Sequence, residues 1–282
     1  SMDNAPDKAS RLFAQAKVLT PSLASEISRL RAEMNQHSQP IKGAIIGLQG
    51  LTSHLIFVGN NLKLGRKITD FQNSFAINYQ RISRVGKQCQ FERQGKKYYL
   101  TDLGSSNGTM LNGIALSANK ISELIDDSTV LVGGEVGIPY SLCQLECKIT
   151  GKSSPALFIR LNAHSLALMN GLDRDKNINQ PQVWDSMDVD LVTNWTLIGS
   201  EIDLGINKQG NIDFGCVEGG KALAKLVYDD GFYLSPITET IPSTSPEIEL
   251  TLNNEIVYSL VPLQDGFTAS INGCQFSFKS VA

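Results

Sequence analysis

The side chains best suited to chemistry in this sequence are cations, hydroxyls and one amide, on short polar segments between apolar runs. A guanidinium offers parallel, charge-assisted donors whose planar geometry matches a phosphate group. Such a cluster favours the binding of a negatively charged ligand. The candidate ligand-binding residues are Arg66, Ser83, Arg84, Lys87, Ser106 and Asn107.

A second group of residues indicates tight turns beside these side chains. Asn-Gly pairs adopt the positive φ angles that other residues resist, and two such pairs occur here, at 107–108 and 112–113. Turns of this kind hold a loop at one end of a β-sandwich, where binding loops cluster. The alternative is that they serve folding alone and that Arg66 forms an ordinary surface ion pair. The candidate structural turn residues are Gly65, Gly108, Thr109, Asn112 and Gly113.

Patterns typical of enzymes and metal sites are weak. His37, His54 and His164 lie far apart and in no ligand spacing. Cys143 and Cys147 are a poor zinc pattern, because no histidine lies near them. The sequence contains no P-loop, nucleophile elbow or dinucleotide fingerprint. We therefore expect no catalytic residue, no metal and no cofactor.

The composition limits the classes of partner. The chain has 282 residues, of which 41% are apolar and 19% charged, and its formal net charge is −3. No overall positive field draws such a chain to nucleic acid or to a membrane surface, and no long apolar run predicts membrane insertion. Five cysteines, an odd number in a large protein, indicate reduced thiols and a cytoplasmic location. We expect a protein partner, with no nucleic acid binding and no membrane insertion.

The distribution of apolar residues predicts a mainly β fold. Residues 7–36 have a helical pattern, and this helix either packs on a domain or mediates dimerisation. From Pro40 onward, short apolar runs alternate with Gly, Asn and Ser clusters, which is typical of β-sandwiches. The predicted strands are 44–48, 55–58, 75–77, 88–91, 98–103, 130–132 and 141–147, then 157–161, 165–168, 191–198, 202–206, 222–228, 232–237, 247–252, 256–260 and 268–278.

The two halves of the chain resemble each other. Gly65 precedes Tyr98 by 33 residues, and Gly199 precedes Phe232 by the same number. Between these anchors, residues 89–91 match residues 224–226 once one loop residue is dropped. We therefore predict a tandem repeat. The predicted domains are a helical segment at 1–40, a first sandwich at 41–150 and a second at 151–282, after a linker-like break at 151–155.

Residues 98–113 resemble the forkhead-associated (FHA) domain family. They read Tyr-Tyr-Leu-Thr-Asp-Leu-Gly-Ser-Ser-Asn-Gly-Thr-Met-Leu-Asn-Gly and follow a Leu-Gly-Arg at 64–66, and the resemblance covers about 43–149. In that family an Arg after the Gly bonds a phosphate, an Asn in a later loop bonds the peptide backbone, and a pocket holds a threonine methyl. The resemblance implies two tandem FHA-like β-sandwiches, with Arg66 and Asn107 in the two ligand-binding positions of the first.

The loop between those two residues leaves two alignments open. The family has a phosphate-bonding Ser there, followed three residues later by a His that supports the loop. One alignment, favoured by strand phase, places Val85 and Gln88 in these positions, and the other places Ser83 and Gly86 there. Neither restores the His. The loops also carry a basic patch of Arg81, Arg84, Lys87 and Lys67.

Two functions remain open. The resemblance implies a non-enzymatic signalling adaptor that binds phosphothreonine peptides, such as those of Ser/Thr kinase substrates. The alternative is a structural or assembly protein that has lost its phosphate site. The second half is a degenerate copy, because Ser200 follows Gly199, its recognition loop is 217–221 and the loop at 238–246 lacks an Asn-Gly turn. We expect that copy to serve packing or protein contact.

Overall fold

The computed structural model describes residues 21–33, 40–42, 44–49, 52–66, 74–77, 79, 81–84, 87–134, 143–162, 165, 194–237 and 249–280. These residues divide into two compact units. The first unit holds the described residues of 44–150 and 155–199, and the second holds those of 21–42, 151–154 and 200–280. Across these ranges, no helix has both the length and the apolar character needed to cross a membrane.

The first unit consists of strands in two sheets. One sheet has the order β4-β3-β5-β6-β9, and the strands of the other lie in the order β1-β2-β13-β12-β11-β10-β7-β8. The strands are β1 (Ile45–Gln49), β2 (Thr52–Val58), β3 (Asn61–Gly65), β4 (Ser74–Ala76), β5 (Cys89–Gln94), β6 (Lys97–Asp102), β7 (Thr109–Leu111), β8 (Ile114–Ala115), β9 (Ile121–Leu124), β10 (Ser128–Val132), β11 (Gln144–Thr150), β12 (Ala156–Leu161) and β13 (Asn194–Ile198).

The core of the first unit lies between these two sheets. On β3, Leu62 and Leu64 are buried whereas Lys63 is exposed, which is the alternation of a strand with one face on a core. The ring of Phe75 on β4 lies 4.7 Å from that of Trp195 on β13, so the two sheets meet through aromatic packing. The predicted mainly β sandwich is confirmed for this part of the chain.

Strands β12 and β13 extend the first unit beyond the predicted boundary at residue 150. Strand β12 pairs antiparallel with β11, from Thr150–Ala156 to Leu145–Leu161, and β13 pairs parallel with β2. The hydroxyl of Tyr98 lies 2.9 Å from the carbonyl oxygen of Leu197. The break at 151–155 is therefore the connection between two paired strands, and the division of the structure differs from the predicted domains 41–150 and 151–282.

The second unit contains one helix and nine strands within the described ranges. Its sheets have the orders β15-β14-β16-β17-β20 and β19-β18-β21-β22. The elements are α1 (Pro21–Glu33), β14 (Glu201–Ile206), β15 (Ile212–Phe214), β16 (Lys221–Tyr228), β17 (Phe232–Pro236), β18 (Leu250–Leu252), β19 (Glu255–Ile256), β20 (Val261–Pro262), β21 (Thr268–Ile271) and β22 (Cys274–Ser280).

Helix α1 packs on the sheet of its own unit. Ile27 is fully buried against Val227 and Tyr233, with Leu23 and Leu30 on the same side. The carboxylate of Glu26 accepts a hydrogen bond from the backbone N–H of Leu260 at 3.1 Å. These contacts use the apolar stripe that the helical spacing predicts, and they match the packing alternative for this helix. The rest of the predicted helical pattern, at 7–20 and 34–36, lies outside the described residues.

The strand order of the second unit repeats that of the first. β14 to β17 follow the order of β3 to β6, and β18 to β22 follow that of β7, β8, β9, β10 and β11. The pairing Leu64–Cys89 in the first unit has a counterpart in Leu204–Ala224 in the second. One outer pair differs, since β3 and β4 are parallel whereas β14 and β15 are antiparallel.

The same register changes one predicted equivalence. Gly65 ends β3 directly after Leu64, and the residue that directly follows Leu204 is Gly205, not Gly199. A Cβ on Gly205 would lie 2.6 Å from the carbonyl oxygen of Lys221, so close strand approach requires glycine there. Gly199 instead lies between β13 and β14. The equal spacing of 33 residues arises because the loops between β14 and β16 are shorter than those between β3 and β5.

Candidate functional site: a basic concavity between three loops

The loop after β6 is organised by a buried carboxylate. Asp102 is 3% exposed and accepts hydrogen bonds from the backbone N–H groups of Gly104 and Ser105, each at 2.9 Å. Its other oxygen accepts from the hydroxyls of Ser105 at 2.5 Å and Thr109 at 2.6 Å. Four donors on one carboxylate fix the loop at both of its ends.

Gln88 joins this loop to the one that precedes β5. Its side chain is fully buried, its Oε1 accepts from the N–H of Ser83 at 2.9 Å, and its Nε2 donates to the carbonyl of Gly108 at 2.8 Å. Nε2 also lies 3.0 Å from the hydroxyl of Thr109. The amide therefore takes the loop-supporting position that the first alignment gives it. Val85, which the first alignment places in the serine position, lies outside the described residues. So does Gly86, which the second alignment places in the histidine position.

Ser83 and Asn107 form two further ties between the same loops. The hydroxyl oxygen of Ser83 accepts a hydrogen bond from the N–H of Ser106 at 2.9 Å. The side-chain amide of Asn107 donates to the carbonyl of Arg81 at 2.8 Å. Ser83 thus reaches the site, and Asn107 has a definite role in loop structure.

Arg66 enters the site from a third direction. It follows the last residue of β3, and its backbone N–H donates to the carbonyl of Ser83 at 3.0 Å. The carbonyl of Gly65 accepts from the N–H of Ile77 at 3.1 Å, which holds the end of β3 in place. The half-buried Arg66 side chain is therefore positioned by a strand end rather than by a flexible segment.

These three segments enclose an open concavity of about 320 Å³. The described residues that line it include four cationic side chains and no carboxylate, so an anion entering it meets only positive or neutral groups. All six candidate ligand-binding residues lie on its wall. The lining residues are Arg66, Arg81, Ile82, Ser83, Arg84, Lys87, Gly104, Ser106 and Asn107.

The candidate turn residues are not among those that line the concavity. Gly108 has φ +76°, and its carbonyl accepts the bond from Gln88. Asn112 and Gly113 form the β7–β8 turn with φ 49° and 81°, and Asn112 exchanges two hydrogen bonds of 2.8 Å with Thr129. Thr109 is buried and bonds Asp102. Gly108 and Thr109 therefore hold the loops of the concavity, whereas Asn112 and Gly113 form a separate turn.

The sequence prediction missed three features of the site. Asp102 carries no signal of its own, since an aspartate before a Gly-Ser pair is ordinary in turns. Ile82 and Gly104 line the concavity without a recognisable pattern. Arg81 belongs to the predicted basic patch, and its Nε donates to the carbonyl of Gly133 at 2.7 Å. Lys67, the other predicted member of that patch, lies outside the described residues.

The corresponding loops of the second unit have a different chemistry. Counted along the chain from Leu204 and Leu64, Ile206 corresponds to Arg66, with a β-bulge between Leu204 and Gly205. Asp213 is buried and accepts from the N–H groups of Glu218 at 3.0 Å and Gly220 at 2.8 Å. Burial raises the pKa of the Asp213 carboxyl, although these hydrogen bonds oppose the shift. An apolar side chain and two acidic ones give no basis there for holding a phosphate.

The described side chains that line the concavity are cationic or neutral. None of its described lining residues is a histidine, carboxylate or thiol. Burial raises the pKa of the neighbouring Cys89 thiol well above its ordinary value, so this thiol stays protonated. In the ranges that the structure describes, no group of three or more His, Cys, Asp or Glu side chains has the arrangement of a metal site.

Comparison with known proteins identifies the domain. Residues 62–133 match the family model of the FHA domain, and this segment contains every residue that lines the concavity. Residues 62–133 therefore form an FHA domain, as the sequence resemblance predicts. No match was found among curated proteins.

Solved FHA domains are similar to part of the chain. The FHA domain of an Arabidopsis thaliana hypothetical protein is 24% identical, with 38% of this chain and 98% of that one covered and a TM-score of 0.25. The FHA-1 domain of Mycobacterium tuberculosis Rv1747 is 18% identical, with coverages of 44% and 99% and a TM-score of 0.25. The FHA1 domain of yeast Rad53 is 16% identical, with coverages of 57% and 99% and a TM-score of 0.26.

Proposed function

We propose that this chain is a non-enzymatic adaptor whose FHA domain binds phosphothreonine peptides in the basic concavity. The observation that carries the proposal is the convergence of Arg66, Ser83 and Asn107 on one open concavity, from three segments that are joined by hydrogen bonds. A site held in this way loses little conformational entropy when a ligand binds. The choice of phosphothreonine as the ligand comes from the resemblance to the FHA family.

The phosphate is bound by Arg66 and Ser83. The guanidinium of Arg66 offers a planar fork of donors to the phosphate oxygens. A hydroxyl has one proton to donate and two lone pairs, and the oxygen of Ser83 already accepts from Ser106. The Ser83 proton is therefore the group that it presents to a ligand.

The peptide backbone is bound by Asn107. A side-chain amide carries two N–H donors and one acceptor oxygen. One donor is directed to the carbonyl of Arg81, which fixes the amide plane. The remaining N–H and the oxygen have the complementary polarity of a peptide unit, so a single residue sets the register of an extended ligand.

The second unit serves packing or a phosphate-independent protein contact in this proposal. Ile206 corresponds to Arg66, and the neighbouring loop carries the acidic residues Asp213 and Glu218. Both features favour a role that does not involve phosphate. The thiol state of all five cysteines accords with a cytoplasmic location, which belongs to the same proposal.

The experiment that tests the proposal measures the affinity of one peptide sequence in phosphothreonine, phosphoserine and unmodified forms. We expect the phosphothreonine form to bind most tightly, and Arg66→Ala to weaken it about 10- to 100-fold, the cost of one hydrogen-bonded charged contact. Arg66→Lys keeps the charge but loses the planar fork, so its affinity should fall between the two.

The matched control is Lys63→Ala, which removes an exposed cation from the same strand, outside the concavity. Its affinity should equal that of the unaltered protein. Equal affinity of the unaltered protein and Arg66→Ala for the phosphothreonine peptide would remove the proposal and leave the phosphate-independent alternative.

A further inference from the structure

Strand β9 differs from the other strands at the ends of the two five-stranded sheets. These end strands are β4, β9, β15 and β20, and β9 is the longest of them, with four residues. The side chains of β4 and β15 are buried, whereas Ile121 and Glu123 of β9 are exposed. Strand β9 pairs with β6 on one side, and no other strand of the described residues pairs with it. Such an edge presents backbone donors and acceptors to a further strand.

The corresponding edge of the second unit is protected against pairing. Strand β20, which takes the place of β9 there, has two residues, Val261 and Pro262. Proline has no backbone N–H to donate to a neighbouring strand, so it blocks an edge. Strand β9 contains no proline, and the charge of its Glu123 is already paired, since Lys97 Nζ lies 2.8 Å from Glu123 Oε1. The usual protections of an edge strand are therefore weak in β9.

Two exposed isoleucines lie on this edge. Ile121 begins β9 and is 46% exposed, and Ile125 follows its last residue and is 60% exposed. Leu124 is buried in the core of the unit, so residues 121, 123 and 125 share the outer face by alternation. Neither isoleucine is needed for that core. Together they give one edge a contiguous apolar character.

The spacing of these residues is self-complementary. If two copies of β9 pair antiparallel about Glu123, position 121 of each copy lies opposite position 125 of the other. Both isoleucines of each copy then lie opposite an isoleucine, and the two-fold symmetry produces this contact twice. The outer faces also remain on one side of the joined sheet. Pairing about Ser122 would instead place Ile121 opposite the charged Glu123.

The charges at the centre of this arrangement balance. Two Glu123 side chains lie opposite each other in it, which alone would be destabilising. Each carboxylate is paired with Lys97 on β6 of its own copy. The centre therefore contains two carboxylates and two ammonium groups, with no net charge. This balance favours a second copy of the same strand over an unrelated segment that lacks such a pair.

We infer that β9 is a dimerisation edge, to which a second copy of this chain adds its own β9 antiparallel about Glu123. The inference goes beyond the proposed function and does not depend on it, because no residue of β9 is among those that line the concavity. The contact is short, so the dimer is weak and reversible. It carries two basic concavities, and a ligand with two phosphorylated segments would bind it more tightly than a ligand with one.

Sedimentation velocity of the unaltered protein, at a series of concentrations and without any ligand, tests the inference. We expect a monomer at low concentration and a dimer at high concentration. Ile121→Thr keeps a β-branched side chain but removes both isoleucine pairs at once, so the dissociation constant should rise about 2- to 30-fold. The matched control is Ile114→Thr, which replaces an isoleucine that is 71% exposed on β8. It should leave the dissociation constant unchanged.

A disulfide experiment tests the register. Glu123→Cys places two thiols opposite each other at the Cα separation of paired strands, about 4.5–5.5 Å, which a disulfide accepts. Lys120→Cys is the control, because the two copies of residue 120 lie six positions apart along the paired strands, about 20 Å. Mild oxidation should link Glu123→Cys into dimers. It should leave Lys120→Cys at the level of the unaltered protein, in which Cys216 and Cys274 are partly exposed.

Three results would overturn the dimerisation edge. They are a monomer at every concentration, a dimer that Ile121→Thr and Ile114→Thr weaken equally, and equal crosslinking of Lys120→Cys and Glu123→Cys. All three are measured without a phosphopeptide, so they leave the proposed function untouched. Conversely, phosphopeptide binding that does not depend on Arg66 would remove the proposed function and leave the dimerisation edge in place.

Discussion

The side-chain amide of Asn107 donates a hydrogen bond to the backbone carbonyl of Arg81 at 2.8 Å. Arg81 in turn donates from its Nε to the carbonyl of Gly133 at 2.7 Å, and the N–H of Gly133 donates to the carbonyl of Gly108. The loop before β5, the loop after β6 and the end of β10 therefore form one connected network. A ligand that contacts both the loop before β5 and the loop after β6 binds to a surface that is already assembled.

Replacing Asn107 should weaken the binding of a phosphothreonine peptide more than it weakens the fold. Asn107→Ala removes one contact to the peptide and one to Arg81, and we expect an affinity loss of about 10- to 100-fold. The free energy of unfolding should fall by only about 1 kcal/mol, because the residue is half-buried. Calorimetric titration and urea unfolding measure the two quantities.

The control for this variant is Asn60→Ala, which removes an exposed amide whose oxygen accepts from Arg93, outside the concavity. Its peptide affinity should be unchanged. A loss of stability in Asn107→Ala without any loss of affinity would assign this residue to folding alone.

Replacing Gln88 should affect stability and binding together. Gln88→Met fills a similar volume but leaves the part-buried N–H of Ser83 and carbonyl of Gly108 without their Gln88 partner. Each such group costs about 1–3 kcal/mol, so we expect a loss of about 2–6 kcal/mol in the free energy of unfolding. Peptide affinity should fall as the two loops separate.

The comparison for that prediction is Gln90→Met, on β5 two residues after Gln88. The Gln90 amide bonds the exposed side chain of Asn61 and touches neither loop. Urea unfolding should show little change for it. If both methionine variants lose the same stability, Gln88 does not have the positioning role that its contacts indicate.

Replacing the turn asparagine should lower the free energy of unfolding equally in the two units. Asn112 bonds Thr129 in the first unit, and Asn253 bonds Thr268 in the second through the same pair of atoms, at 2.7 and 3.0 Å. Both residues have positive φ angles, which alanine resists. Alanine at either position should therefore lower the free energy of unfolding by about 1–3 kcal/mol, as measured in urea.

Glycine variants separate the effect of the positive φ angle on stability from the effect of the lost side-chain hydrogen bond. Glycine accepts the positive φ but lacks the side-chain acceptor, so Asn112→Gly and Asn253→Gly should lose less stability than the alanine variants. Both sets of variants should bind the peptide normally, because neither residue lines the concavity. A change at one turn without a change at the other would contradict their structural equivalence.

His54 should make the first unit less stable in acid. Burial, with a smaller effect of Arg160, lowers the pKa of this histidine from 6.5 to about 4. The unfolded chain therefore takes up a proton at a higher pH than the folded one. The contribution of neutral His54 to the free energy of unfolding is fully present above pH 6.5. It is lost as the pH falls towards 4, by up to about 3 kcal/mol.

His54→Gln tests this effect, because glutamine keeps hydrogen-bonding capacity without titrating. Urea unfolding at several pH values should show a shallower decline for the variant than for the unaltered protein between pH 6.5 and 4. Parallel curves for the two proteins would show that another group is responsible.

The sequence predicts the binding loops well because their signals are local. Glycine and asparagine turns, and cations beside them, are determined within a few residues, so Arg66, Ser83 and Asn107 could be placed in one site. The buried role of Gln88 could be proposed from strand phase alone. Its three partners could not, because they belong to segments up to 21 positions away.

The remaining differences arise from long-range pairing and one overlooked turn. No local pattern indicates that β13 pairs in parallel with β2, more than a hundred positions earlier, which moves residues 155–199 to the first unit. Residues 268–278, predicted as one strand, form the hairpin β21–β22 with Asn272-Gly273 at its turn. That Asn-Gly pair has the same meaning as the pair at 112–113.

The central claim is that Arg66, Ser83 and Asn107 bind one phosphorylated segment together. The most direct measurement adds a phosphothreonine peptide to isotopically labelled protein and follows the backbone amide resonances. The account predicts the largest shifts at residues 66, 83, 106 and 107, no comparable shifts in the loops at 207–220, and none with the unphosphorylated peptide. Shifts confined to the second unit, or shifts independent of the phosphate, would contradict it.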